Sequence, residues 1–341
     1  MFEAQKISNL VFEGGGVGAI AYAGFLIKAE KTHGLPIKNI KRVAGVSSGA
    51  IAGLQVALNY STAEIADEMK NTDFRKFADG ANGWLMNIFR LLTTEGFYKQ
   101  EYLYKYICKL IKAKTGNANL TFLDLQDMKE EHHFKDLYIV ATKLFTVENQ
   151  PAAVPFIFSH EHTPHTRVAD AIRASAALPI IFPPMRLSRQ ENGKYIPRSD
   201  GDIYVDGGIL ESYPIRIFDS LRYLDSGAYG HKENRESIVY NPETLGLRLE
   251  SPLDIKILQK QKIFPKAHVI SSRLQYAEAL LYVLRRGQQE ISFADSPDNK
   301  RTIIIDTFGI TSTDFNLTDA QKQQLFASGE QSTDQLTRIS A

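Results

Sequence analysis

Three short glycine-bearing stretches hold the residues whose types and spacing could do chemistry. Gly45-Val46-Ser47-Ser48-Gly49 sets a serine between two glycines, after the apolar-leaning run Ile40-Lys41-Arg42-Val43-Ala44 and before small residues that can open a helix. Strand, sharp turn and helix is the setting in which G-x-S-x-G acts as a nucleophile elbow. The serine there occupies a strained backbone, and a side chain at either flank would clash with strand or helix. Its hydroxyl then stands above the sheet, at the positive end of a helix. Gly14-Gly15-Gly16-Val17-Gly18 follows the apolar run Leu10-Val11-Phe12. Consecutive glycines at such a turn let backbone N–H groups converge on a developing negative charge, and a side chain at Gly15 or Gly16 would block a tetrahedral intermediate. A tight turn that merely packs helix on sheet would not need three adjacent glycines, which cost chain entropy. The same segment, as Gly16-Val17-Gly18-Ala19-Ile20-Ala21, fits the looser dinucleotide pattern G-x-G-x-x-A. That pattern requires an acid at the end of the second strand to hold a ribose, and this strand ends at Ala44-Gly45-Val46-Ser47 without one.

A serine nucleophile needs a base. None of the eight histidines has the surroundings of a strand end near a glycine turn. His160-Glu161-His162-Thr163-Pro164-His165 looks like a metal cluster, but it lacks H-E-x-x-H spacing and sits beside a proline. It reads as a solvated loop, and no metal site and no cofactor are expected. Asp206 closes the apolar run Ile203-Tyr204-Val205 and is followed by Gly207-Gly208, the same strand-end grammar as the elbow. A carboxylate is a weak base in water, yet contact with a serine hydroxyl and partial burial make proton transfer feasible. An Asp before Gly is equally a common turn cap.

These residues must be positioned by a scaffold. Strand, glycine turn and helix occur twice, at Leu10 to about Lys31 and at Ile40 to about Leu58, which predicts a parallel sheet with crossover helices. Residues from about Thr62 to Lys129 read as mostly helical. Strands return at Asp136–Thr142, Ala153–Phe158, Ile203–Asp206, Thr244–Leu249 and Thr302–Asp306. Helices are expected at about Val168–Ala177, Leu274–Gln289 and Thr318–Arg338. Ser188–Gly201, with the turn signal Asn192-Gly193, reads as a surface hairpin or loop, and Gly227–Glu236 as a disordered loop. Trp84-Leu85-Met86-Asn87-Ile88-Phe89-Arg90-Leu91-Leu92 holds the only tryptophan; it reads as a buried core helix or an interfacial lid. Leu280-Leu281-Tyr282-Val283-Leu284, beside Arg285 and Arg286, poses the same choice.

The chain has 341 residues and a net charge of +1, enough for one large α/β domain, with basic and acidic residues interspersed and no basic patch for nucleic acid. Its single cysteine, Cys108, permits no intrachain disulfide. The N-terminal stretch lacks the basic region and apolar run of a secretory signal, and no stretch has the length of a membrane span. The expectation is a cytoplasmic protein with peripheral membrane contact; signal-independent secretion stays open.

Taken together, the motifs resemble those of the patatin-like phospholipases, bacterial-type members included. Gly14-Gly15-Gly16, Ser47 in GVSSG, and Asp206-Gly207-Gly208 match in order and approximate spacing. Ala171-Ile172-Arg173-Ala174-Ser175-Ala176-Ala177-Leu178-Pro179 resembles the family's helix before the aspartate strand, and Thr302–Phe315 its C-terminal part. The resemblance implies a three-layer α/β/α fold with a mainly parallel central sheet. It implies one large domain over residues 1–341, with the catalytic segment at about 8–218 and its completion at about 219–341. It further implies that Ser47 attacks an ester carbonyl, that Asp206 takes its proton, and that the Gly15 and Gly16 N–H groups stabilise the oxyanion in a loop shaped by Gly14 and Gly18. The elbow glycines Gly45 and Gly49, and Gly207 and Gly208, support the two catalytic side chains. The implied substrate is a phospholipid or lysophospholipid met at a membrane or micelle surface; nothing in the sequence names a protein activator. Gly18 stands where the family usually has a basic residue, which removes a charge that would help place the loop or attract an anionic head group but leaves the backbone donors intact. An acyltransferase or thioesterase on the same site, and a silent lipid-binding module, remain the alternatives.

Overall fold

The computed structural model describes residues 4–79, 96–190, 194–225, 237–259, 270, 276, 279–280, 282–283 and 296–339. Nine strands form one sheet: β1 (Asn9–Phe12), β2 (Arg42–Val46), β3 (Asp136–Val147), β4 (Gln150–Phe158), β5 (Met185–Arg189), β6 (Tyr195–Pro197), β7 (Asp202–Asp206), β8 (Thr244–Glu250) and β9 (Thr302–Asp306). Their order is β6-β5-β7-β3-β2-β1-β8-β9, with β4 beside β3. The five strands β3, β2, β1, β8 and β9 are parallel. The sheet is mixed because β4 and β7 pair antiparallel with β3, and β5 pairs antiparallel with β7 and β6. The expected Ser188–Gly201 hairpin is thus the β5–β6 pair, with Leu187 opposite Pro197. Leu187 is fully buried.

Among the described residues the longer helices are α1 (Ile20–His33), α2 (Ser48–Ala57), α3 (Thr62–Asn71), α4 (Glu101–Thr115), α5 (Val168–Ser175), α6 (Pro252–Leu258) and α7 (Asp319–Ser332). Alternation along the parallel strands divides the core. Leu10 and Phe12 of β1, Val43 of β2, Leu137 and Ile139 of β3, and Leu247 of β8 join the cluster that includes residues of α1–α5 and α7. Val11, Ala44 and Tyr138 point the other way, onto a thinner layer of Tyr213, Ile215, Phe218 and Tyr223, with Leu258 of α6 packed against it. Right-handed crossovers account for this arrangement. The chain steps from β1 to β2 to β3 in one direction, and from β8 to β9 in the other, so α6 lands on the opposite face from α1 and α2.

The order of strands reverses between β1 and β8, and in open α/β sheets the crevice outside the carboxyl ends at such a point is where ligands bind. Gly14–Gly18, Ser47, Glu250 and Thr307 all follow or end these strands. The Trp84–Leu92 segment, the Gly227–Glu236 loop, and Leu281, Leu284, Arg285 and Arg286 lie outside the described residues. Tyr276, Ala279, Leu280, Tyr282 and Val283 are helical, and all but Ala279 are exposed. No helix among the described residues is long and apolar enough to cross a membrane.

Candidate active site

Ser47 has φ 53° and ψ −123°, a conformation that non-glycine residues avoid and that must be held by its surroundings. The elbow glycines show why side chains are excluded beside it. A Cβ at Gly45 would lie 2.3 Å from the Gly49 carbonyl oxygen, and one at Gly49 would lie 2.4 Å from the Glu13 carbonyl oxygen. Strand and helix approach so closely that only backbone fits. Ser47 is held from a third direction by a residue that sequence reasoning did not single out. Its N–H donates to Ser175 Oγ at 2.8 Å, and Ser175 Oγ in turn donates to the Val140 carbonyl oxygen at 2.6 Å.

Asp206 sits at the end of β7, 4% exposed. Its Oδ1 accepts the Gly208 N–H at 2.7 Å, so it does cap its own turn, and its N–H donates to the Ala177 carbonyl oxygen at 2.9 Å. Register places it near the elbow: Val46 pairs with Val140 on β3, and the next β3 residue, Ala141, pairs with Asp206. The turn after Asp206 crosses the end of β3 toward β2, since a Cβ at Gly207 would lie 2.4 Å from the Val140 oxygen and 2.9 Å from Val46 Cγ1. The end of α5 therefore touches both side chains' backbones, Ser175 that of Ser47 and Ala177 that of Asp206. A lone serine among alanines carries no spacing signal; only the ASAALP stretch pointed to this segment.

The glycine loop is tied on several sides. Gly14 N–H donates to the Ser212 carbonyl oxygen at 3.0 Å, Val17 N–H to that of Ser312 at 3.3 Å, and Gly18 N–H to that of Gly15 at 3.1 Å. Gly16 has φ +56°, and a Cβ there would lie 1.8 Å from the Ser312 oxygen, so both conformation and space demand glycine. Gly15 N–H donates to Ser48 Oγ at 3.1 Å. Among the described residues, neither the Gly16 N–H nor the Ser48 N–H has an acceptor. Beneath the loop, Glu13 accepts the Leu249 N–H at 2.7 Å and lies beside Arg248, which also pairs with Glu250. Burial works against the Arg248 charge, but Glu13 and Glu250 outweigh it and hold the guanidinium above its ordinary value.

Ser47, Asp206, Gly15 and Gly16 open onto one cavity of about 80 Å³. The rest of its lining is largely apolar, including Met69, Phe74, Phe77, Leu103, Tyr106 and Phe315. A larger cavity of about 310 Å³ lies across the loop and shares Gly15, Leu178, Ser312 and Thr313 with the first. Gly18 faces Leu249 and Thr307 rather than the serine. The histidine-rich stretch is anchored elsewhere: Glu161 accepts the hydroxyls of Tyr138 and Tyr223 at 2.8 Å each, and His162 Nδ1 lies 2.8 Å from Ser159 Oγ. Among the described residues no group of three or more His, Cys, Asp or Glu is arranged to hold a metal ion.

These features define an α/β protein with a serine at a sharp strand–turn–helix elbow. Residues 10–219 match the family described as patatin-like phospholipase, and the chain belongs to that family of lipid hydrolases. A protein of Acanthamoeba polyphaga mimivirus is 28% identical over 97% of this chain and 94% of its own length. YqhO of Bacillus subtilis is 26% identical over 95% of this chain and 96% of its own. A protein of Invertebrate iridescent virus 6 named a probable lipid hydrolase is 25% identical, over 61% of this chain and 62% of its own. The crystal structure of VipD from Legionella pneumophila superposes with a TM-score of 0.53 at 19% identity, over 97% of this chain and 66% of VipD, a likeness of fold.

Proposed function

We propose that the chain is a serine acyl hydrolase that cleaves fatty-acyl esters of phospholipids or lysophospholipids. The observation that carries this reading is the opening of strained Ser47, buried Asp206 and the glycine loop onto one largely apolar cavity. Ser47 Oγ attacks the ester carbonyl carbon while Asp206 takes its proton. The carbonyl oxygen becomes an oxyanion, for which the Gly16 and Ser48 N–H groups, without an acceptor among the described residues, serve as donors. Gly15 acts beside them through its bond to Ser48, with Gly14 and Gly18 shaping the loop. Collapse of the intermediate breaks the ester bond, and Asp206 returns the proton to the departing alcohol. Asp206 then takes a proton from water, whose oxygen attacks the acyl-serine. The fatty acid leaves and the serine recovers its proton. Every step runs through protein side chains and backbone.

Family membership and the relative named a probable lipid hydrolase support this substrate class, and a substrate of that kind brings the enzyme to a membrane or micelle surface. The test is to incubate wild type, Ser47→Ala and Asp206→Ala with an acyl-labelled phospholipid and follow free fatty acid. Both substitutions are expected to abolish release. Release retained by Ser47→Ala overturns the mechanism, and label carried to an acceptor alcohol or amine instead of free acid converts the reading to acyl transfer.

A further inference from the structure

Two aromatic rings stand between the catalytic cavity and a second recess. The cavity is bounded on one side by the strand-end groups Ser47 and Asp206 and on another by apolar side chains of α3, the turn Phe74–Phe77 and α4. Phe74, Phe77 and Tyr106 are each 7% exposed. Phe77 packs edge-on against Phe74 and against Tyr106, with centroids 5.6 Å apart in both pairs, and 6.5 Å from Phe315. Phe74 and Phe315 also line an open recess of about 430 Å³, whose other residues include Asn71, Asp73, Arg75, Asp319 and Lys322. The Lys322 ammonium stands 5.5 Å from the centre of the Phe74 ring and donates to the Thr72 carbonyl oxygen at 2.9 Å, which fixes a charge on that side. The rings thus meet an apolar space at one side and a polar, open one at the other.

We infer that Phe74 and Phe315 form a partition that limits how much of an acyl chain is gripped at Ser47, so that the site selects by the first several carbons and gains nothing further from longer acyl chains. The inference rests on Ser47 being the acylated residue. At roughly 10–15 Å³ per water-sized group, the 80 Å³ cavity holds about five to eight such groups, or about that many carbons of a chain. A chain that runs from Ser47 toward the α3 and α4 side of the cavity then meets the rings. Past the rings lies a polar recess, where an apolar chain gains nothing by leaving water. Each methylene added within the cavity raises kcat/KM by up to about fourfold, and each one beyond it adds little. Shortening either ring joins the cavity to the recess and makes room for more of the chain.

The experiment measures p-nitrophenolate release from p-nitrophenyl esters of two to sixteen carbons, each at one fixed mole fraction in detergent micelles. The readout is the chain length at which kcat/KM stops rising, not its absolute value. Wild type is expected to level off at about six to eight carbons. In Phe315→Ala the break moves to longer chains by two carbons or more, and in Phe74→Leu it moves in the same direction. Phe315 is only half-buried, so its truncation is the gentler of the two for the fold. A wild-type limb that rises steadily to sixteen carbons, or a break that stays in place in both variants, overturns the partition. Ser47→Ala is run beside them: turnover that survives it condemns the nucleophile assignment, whereas Ser47-dependent turnover with an unmoved break condemns the partition alone.

Discussion

Replacing Ser175 with alanine tests how the elbow is held. The Ser175 side chain is wholly buried and joins the Ser47 N–H, at 2.8 Å, to the Val140 carbonyl oxygen, at 2.6 Å. Ser175→Ala leaves both groups buried without that partner, at a cost of about 1–3 kcal/mol each. Ser47 itself stores about 1–3 kcal/mol in its φ of 53°, and relaxation becomes the way to recover part of the loss. A relaxed elbow no longer presents Oγ to the cavity. If the productive conformer falls by the stored strain, kcat drops by about 5- to 150-fold. KM should stay close to wild type, because no cavity-lining side chain and no part of Asp206 is altered. The assay is hydrolysis of a medium-chain p-nitrophenyl ester, with thermal unfolding in parallel. Ser175→Cys, which keeps a weak donor and acceptor of similar size, should recover part of the rate. A Ser175→Ala enzyme whose kcat lies within twofold of wild type while its unfolding temperature falls would refute the reasoning, since the clamp would then support the fold and not the nucleophile.

Gly16→Ala should cost about 10²- to 10³-fold in kcat, the loss typical of one oxyanion donor, because a Cβ 1.8 Å from the Ser312 oxygen drives the loop out of place; steady-state kinetics on a soluble ester decides it. Chelation by EDTA should leave hydrolysis unchanged, since Glu161 is already engaged by Tyr138 and Tyr223, and inhibition reversed by added metal would argue otherwise. Lys135 supplies a pH test of stability. Burial pushes its ammonium from 10.5 down to about 8. Between those values the unfolded chain binds a proton that the folded chain does not, so stability attributable to this group rises with pH across that window, by about 3 kcal/mol in all. The difference in unfolding free energy between wild type and Lys135→Met should change by that amount from pH 7.5 to 10.5; a constant difference would count against it.

The parts of the site that sequence exposes are those where local chemistry leaves little choice. Gly45 and Gly49 are needed because strand and helix backbones touch, and the ring of small residues around Ser47 records that contact. The run Leu10-Val11-Phe12 reads as a short strand, and it is one, buried on both faces. Ser175 was invisible because its partners lie 128 and 35 residues away and serine fits an alanine-rich helix without comment. The role of Ser48 was missed in the same way: its hydroxyl takes up the Gly15 N–H across 33 residues, so that donor reaches the site indirectly. The antiparallel flank of β4–β7 follows from which strands find β3, a choice made by tertiary packing and not by the strands' own patterns.

The position of Ser312 has a consequence for the order in which the protein is made. Gly16 lies against Ser312, and Glu13 is satisfied by Leu249, contacts that span 296 and 236 residues of chain. A growing polypeptide has both motif serines and the aspartate in hand long before it has the surface that shapes the glycine loop. At about 5–20 residues per second, the roughly hundred residues between Asp206 and Ser312 take about 5 to 20 seconds to emerge. For that interval the chain carries both proposed catalytic side chains with an unfinished glycine loop. Competence therefore arrives late in synthesis, when the last strand has joined the sheet.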